Sequence, residues 1–321
     1  MTTSLPPRAH YSRGSKGGSS ERNKRSNAGI SADEFYQEYH GHTIPHLEAV
    51  HKGLKKDGRV CCYLVGDSTM DNKYWLSGRR AGCVNGYEEV LRGRMVKDIS
   101  YWLNKTFSES TEGSKFFCLN AAVEESTLGV RQNGILLEHD KFVQDSIGQD
   151  DVLICSVGGN DIALRPSAGT IFNMIMLLCQ PQSMIASGWA VGIGHFKDLW
   201  KRQTEDYLKS LCLKKMPKVI VVCTLYFLDE KPGNSWADGV LSKLGYDTNP
   251  GKIQMLIEKI YEDATCKVEI DGTTVIPFPL FKVLDGKNTK DYAQRVEPSI
   301  LGGKKIGKAL ASKVMEVYNK D

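Results

Sequence analysis

The chain contains no Cys-x-x-Cys pair. Its nine cysteines (Cys61, Cys62, Cys83, Cys118, Cys155, Cys179, Cys212, Cys223 and Cys266) are odd in number, and several lie inside apolar runs. That pattern argues against a disulfide framework or a zinc ribbon, and for buried free thiols in a reducing, cytoplasmic setting. Phosphate-cradling signatures are missing too. No Gly-x-x-x-x-Gly-Lys-Ser/Thr occurs, and "VGIGHF" does not follow the dinucleotide-binding spacing. Net charge is small, +4 from 42 Lys+Arg against 38 Asp+Glu. Much of the excess sits in residues 1–30, where Arg8, Arg13, Lys16, Arg22, Lys24 and Arg25 face Glu21 alone. A near-neutral body argues against a nucleic-acid partner. The N-terminus has no apolar core of a signal peptide, and residues 1–30 are expected to form a disordered basic tail. The most apolar stretch, residues 170–194, is interrupted at Pro181 before reaching membrane-spanning length. It is expected to form two short buried helices or a substrate-facing flap, with core packing favoured. Histidine is sparse, with seven in all and none after His195.

What is present is an alternation of apolar runs and amphipathic stretches. The runs at 59–66, 114–120, 151–158, 218–227 and 273–281 predict strands buried on both faces. Between and after them, 46–58, 86–107, 134–147, 195–213, 250–264 and 302–319 predict helices. The expected fold class is α/β, a three-layer α/β/α sandwich around a five-stranded parallel sheet, with residues 31–321 as one domain.

Ligands of such sheets bind beyond the carboxyl ends of the strands, so the strand ends decide the chemistry. The first ends in "GDST" at Gly66–Thr69, the second in "NAAVEEST" from Asn120, the third in "GGND" at Gly158–Asp161. Taken singly, each is weak: Ser and Asp are ordinary helix N-caps, and "GGND" is an ordinary turn. Their order and spacing over residues 59–312 resemble the SGNH hydrolases, the GDSL esterase/lipase superfamily. The resemblance implies a flavodoxin-like fold and a serine ester hydrolase. Ser68 would be the nucleophile on a strand-to-helix turn. The oxyanion would be held by Ser68 N–H, at the start of the following helix, by the backbone N–H of Glu125 and by the Asn160 side-chain amide. Acyl transfer needs this set, a nucleophile plus donors aimed where negative charge develops. Asp161 is expected to hold its loop rather than react.

Two positions depart from the family's pattern. The block-two glycine is Glu125, and Glu124 beside it adds a second carboxylate. In the last block, Asp-x-x-His is replaced by Gln294 and Glu297. A carboxylate is about two pKa units less basic than imidazole, but burial beside Asp67 and Glu124 would raise it. Glu297 is therefore the candidate proton acceptor or orienter. Arg165 and Arg295, with Asp67 and Glu124, are candidate substrate-binding residues, and Arg165 and Arg295 serve equally well to neutralise the nearby carboxylates. Trp75, Tyr74 and Trp236 are candidates for a cleft wall. The histidines fit no metal spacing, His195 is expected at the surface, with folding over the pocket as the alternative, and His139 is expected to face solvent. A divalent cation on Asp67, Asp71, Glu124, Glu125 and Glu297 is the weaker possibility; no cofactor is otherwise implied. The partner expected is a small-molecule ester or acylated compound. The alternative is an impaired enzyme that keeps the fold to bind a polar ligand or a partner protein.

Overall fold

The structure, a computed structural model, describes residues 29–233 and 235–320; apart from Gly29 and Ile30, the expected tail lies outside the described residues. Five parallel strands form the central sheet: β1 (Val60–Gly66), β2 (Phe116–Asn120), β3 (Val152–Ser156), β4 (Val219–Thr224) and β5 (Thr274–Pro279). Their order is β2-β1-β3-β4-β5. The β1 register, Leu64 opposite Asn120 and Ile154, puts the ends of β2, β1 and β3 side by side. The chain order reverses direction at β1, the switch point where open sheets leave a crevice.

Side-chain alternation along β1 explains the layers. Cys61, Tyr63 and Val65 enter one core cluster, while Val60, Cys62 and Leu64 enter the other. The first cluster is completed by α1 (Ile44–Leu54), α3 (Glu138–Ser146), α4 (Ala168–Leu178), α5 (Thr204–Leu211) and α6 (Pro250–Asp263). The second is closed by α2 (Ile99–Ser108) and α7 (Ile300–Tyr318). All nine cysteines are free thiols, six of them buried in the strands and their packing. Among the described residues no helix is long and apolar enough to cross a membrane.

Two expectations about elements need correction. The helix predicted over 86–107 is interrupted: a single turn at Tyr87–Val90 gives way to Arg94–Val96, which pairs antiparallel with Arg80–Gly82. α2 then starts afresh at Asp98, whose carboxylate accepts the Tyr101 N–H at 2.8 Å. The stretch 170–194 is core on one side only. It forms α4, a short helix Gln182–Ala186 and the start of another at Ile193–Asp198; Met174, Leu177, Ile185, Ala190 and Ile193 enter the first cluster, while Ile171, Phe172, Ile175, Trp189 and Val191 stay exposed.

Candidate active site

β1 ends at Gly66, and the chain turns at once. Gly66 has φ +116°, and a Cβ there would lie 1.8 Å from the Ser156 carbonyl of β3, so only glycine fits. Asp67 N–H donates to that same carbonyl (3.1 Å), and the N–H groups of Met70 and Asp71 return to the Asp67 carbonyl. Ser68 stands in this turn, 8% exposed. No long helix follows it, contrary to expectation; a turn leads only to the short Lys73–Leu76 segment, so a helix dipole adds little at Ser68. Among the described residues, the Ser68 N–H has no acceptor and its Oγ has no hydrogen-bonded side chain.

Three loops converge on this turn through named bonds. Asn120, at the end of β2, donates from Nδ2 to the Met70 carbonyl at 3.0 Å. Asn160, in the short helix Gly159–Ala163 directly after β3, donates to the Ser126 carbonyl at 3.1 Å, leaving its second N–H unused. Ser126 Oγ donates in turn to the Gly66 carbonyl (2.9 Å). The Asp161 carboxylate accepts the Leu128 and Gly129 N–H groups at 2.8 and 2.9 Å, so it clamps one loop to the other. Asn72 accepts the Ile99 N–H (3.1 Å) and donates to the Pro298 carbonyl (3.3 Å), beside Glu297.

Glu125 adopts φ +60°, the left-handed conformation that glycine would take without strain. Among the described residues its N–H also has no acceptor. Its carboxylate points away from the nucleophile turn, accepting from Tyr39 Oη at 3.2 Å and from Arg165 at 3.4 Å.

Glu297 lies in the short strand Glu297–Pro298, 3% exposed, and its Oε2 has no partner among the described residues. Ser68, Asn160 and Glu297 line one cavity of about 120 Å³, together with Asp67, Thr69 and Tyr226. The remaining wall is almost wholly apolar: Met174 from α4, Trp236, Leu241 and Leu244 near the helix Asp238–Lys243, and Ile253 and Ile257 from α6.

Burial pushes the Glu297 carboxyl well above the usual carboxylate range, and the nearby Asp67 and Asp71 charges add to this. Glu124 is raised likewise, by burial first and then by Glu297 and Asp71. Its Oε1 accepts the Trp75 indole N–H at 3.3 Å, and its Oε2 has no partner. Two buried carboxyls that repel each other lose their protons in separate steps, the first loss making the second harder. Asp67 is pushed up to about 6, chiefly by burial, against the Thr69 hydrogen bond. Asp71, 0% exposed, is neutralised by the Lys73 ammonium at 2.6 and 2.9 Å, and also accepts the N–H groups of Gly41 and Glu124. The cluster's counter-charge is therefore a lysine. Among the described residues no group of three or more His, Cys, Asp or Glu is arranged to hold a metal ion, which corrects the cation idea.

Several predicted site residues lie elsewhere. Arg295 is 3% exposed and turned away from the cavity. Its guanidinium binds Asp238 (3.1 Å), Asp247 (2.8 Å) and the Asp229 carbonyl, and stacks over Tyr246. Arg295 is thereby engaged outside the cavity lining. Arg165 is exposed and pairs with Glu125 rather than entering the cavity. The Gln294 side chain accepts the Trp236 backbone N–H at 3.4 Å, while its backbone pairs with Glu297 across the hairpin. His195 bonds Thr170 at 3.0 Å, His42 is buried against Phe35, and His139, half-buried rather than solvent-facing, contacts the His42 carbonyl. Among the described residues, no histidine hydrogen-bonds Ser68. Of the aromatic candidates, Trp236 lines the cavity, Trp75 serves Glu124 and Tyr74 is exposed.

Sequence reasoning missed the Asp71–Lys73 pair as an internal neutraliser, Trp75 as the Glu124 partner and most of the apolar wall. For the pair a signal existed, an acid and a base two residues apart in a stretch with no exposed-helix periodicity. For the wall there was none, because aliphatic residues on α6 look the same whether they meet a core or a cavity.

No family model matches the chain, and no curated protein matches its sequence. Among solved structures, it is similar to an extracellular lipase from Streptomyces rimosus at 14% identity, covering 79% of this chain and 99% of that one with a TM-score of 0.44. It is similar to a carbohydrate acetylesterase from Sinorhizobium meliloti at 15% identity, covering 81% and 100% with a TM-score of 0.43. An aryl esterase from M. smegmatis matches at 13% identity over 80% and 100%, with a TM-score of 0.41. At such identities the chemistry of the site has to come from its own residues.

Proposed function

We propose that the chain is a serine ester hydrolase of the SGNH (GDSL) type in which a buried glutamate replaces the histidine base. The carrying observation is one cavity lined by the Ser68, Asn160 and Glu297 side chains, brought there by three loops far apart in sequence. Ser68 Oγ attacks the ester carbonyl and gives its proton to Glu297. The tetrahedral oxyanion is met by three donors otherwise unused: Ser68 N–H, Glu125 N–H and the second Asn160 amide proton. The alcohol departs with the proton from Glu297, and water repeats the sequence on the acyl-enzyme. Glu297 suits the role because burial, with the Asp67 and Asp71 charges, raises its basicity above that of an ordinary carboxylate.

A fluorophosphonate probe is expected to label Ser68, and Ser68→Ala to abolish both labelling and ester hydrolysis. Asn160→Ala is expected to lower kcat about 10²–10³-fold, the range for one oxyanion donor. Activity in the Ser68→Ala protein at the wild-type level refutes the assignment.

One observation favours the second reading, a fold kept for binding: no side chain hydrogen-bonds Ser68 Oγ among the described residues. Contacts of this kind often tighten only once substrate is bound. Glu297→His separates the two. It leaves a working hydrolase active with a rising pH limb near the imidazole value, whereas in a binding protein it creates activity that the natural chain lacks.

A further inference from the structure

The apolar cavity lies beside a residue that would become acylated, and its lining restricts what occupies it. We infer that it is an acyl-binding site selecting esters of unbranched aliphatic acids of about six carbons over acetyl esters; this rests on Ser68 being the nucleophile.

Polar groups gather at one end, where Asp67, Ser68, Thr69, Asn160 and Glu297 stand. Beyond them the wall is aliphatic, with Met174, Leu241, Leu244, Ile253 and Ile257 drawn from three helices. In acyl transfer the alcohol must leave before water enters, so it needs a ready exit. The acyl group stays attached through both halves of the reaction, so an apolar recess beside the serine suits it better than the alcohol. The volume sets its length. A dry cavity of ~150 Å³ lined by Leu, Ile and Phe admits benzene. The 120 Å³ found here is of the same order, which suits an apolar chain of about five or six carbons. An acetyl group would leave most of the recess empty, with its wall contacts unmade. Each methylene buried there is expected to raise kcat/KM about fourfold until the recess is full.

The test is a series of 4-nitrophenyl esters from acetate to dodecanoate, run on the natural protein, Ala163→Phe and Val240→Phe. Ala163 and Val240 are half-buried lining residues on two different short helices, so at least one phenylalanine is expected to fold while filling the recess. The natural protein is expected to gain at least ~30-fold in kcat/KM from acetate to hexanoate and to level off or fall beyond. The phenylalanine variants are expected to shift the optimum to acetate or propionate, with fluorophosphonate labelling of Ser68 retained. A natural protein that labels at Ser68 yet prefers acetate, or ignores chain length, overturns the inference while leaving the hydrolase assignment standing. If no ester is hydrolysed, that assignment fails and binding alone decides. Hexanamide and acetamide are then titrated against tryptophan emission, since Trp200 and Trp236 both line the cavity. Saturable hexanamide binding, at least ~30-fold tighter than acetamide and lost in Val240→Phe, upholds the site; no binding, or no preference for length, removes it.

Discussion

Glu125 holds an L side chain at φ +60°, where its Cβ crowds the backbone. Its side-chain contacts with Tyr39 and the exposed Arg165 return little of that cost. Glu125→Gly is expected to stabilise the fold by roughly 0.5–1 kcal/mol, after allowing for the freer unfolded chain, and to keep activity because the donor is the backbone N–H. Thermal melts check the first part; a lower midpoint for the glycine variant contradicts it. The sequence shows that Glu125 stands where the family has glycine, but not that the backbone keeps glycine's conformation. That follows from the loop being drawn back by Ser126 onto Gly66. Arg295 shows the opposite failure. Two residues from Glu297, it looked like a neighbour of the site, yet residues 295 and 296 form the turn of the hairpin between Tyr292–Gln294 and Glu297–Pro298. Strand alternation does not operate in a turn, so proximity along the chain says nothing about direction.

Between elements, α7 and α2 approach closely. A Cβ on Gly307 would lie 2.6 Å from Trp102 Cβ and 3.1 Å from both the Ile99 carbonyl and the Leu103 N. Backbone cannot yield as a flexible side-chain tip does, so Gly307→Ala is expected to destabilise by about 1–3 kcal/mol through overpacking, despite alanine's better helix propensity. Denaturant titration reads this directly, and a neutral or stabilised variant would mean that the two helices slide apart freely. The five strands were legible because buried parallel strands are continuous apolar runs. The helix over 86–107 was not, because its apolar spacing continues across a hairpin whose pairing with Arg80–Gly82 is non-local. The charge-free stretch 166–196 misled for a related reason. Hydrophobicity tells how much apolar surface a segment has, not how much of it finds cover, and α4 buries Met174 and Leu177 while exposing Ile171, Phe172 and Ile175.

Across the whole molecule, burial shifts two sets of groups in opposing ways. Asp67 and Asp98 are raised to about 6 and the Glu124–Glu297 pair well above 4.5, chiefly by desolvation. A raised carboxyl contributes stability that is complete below its unfolded value and is lost as pH climbs through the folded one. His42, pushed down to about 3 by burial, and His51 and His139, also lowered by burial, do the reverse: their contribution is lost on acidification. The two sets oppose each other below about pH 6.5, the unfolded histidine value. Above pH 7 the histidine contribution is constant, while the raised carboxyls and the buried thiols, also pushed up by burial, both lose stability as pH climbs. The denaturation midpoint is expected to fall on alkalinisation in the natural protein and to fall less in Glu297→Gln, whose amide carries no proton to lose. Equal declines in the two proteins would mean that Glu297 ionises freely in the folded state.

Asn72 spans the two halves of the proposed chemistry without belonging to either. By holding the Ile99 amide with one end and the Pro298 carbonyl with the other, it links the segment that carries the hydroxyl to the one that carries the acid by a strut independent of the sheet. Breathing of the strands would then move both parts together, and the gap a proton must cross would stay constant while the scaffold beneath it flexes.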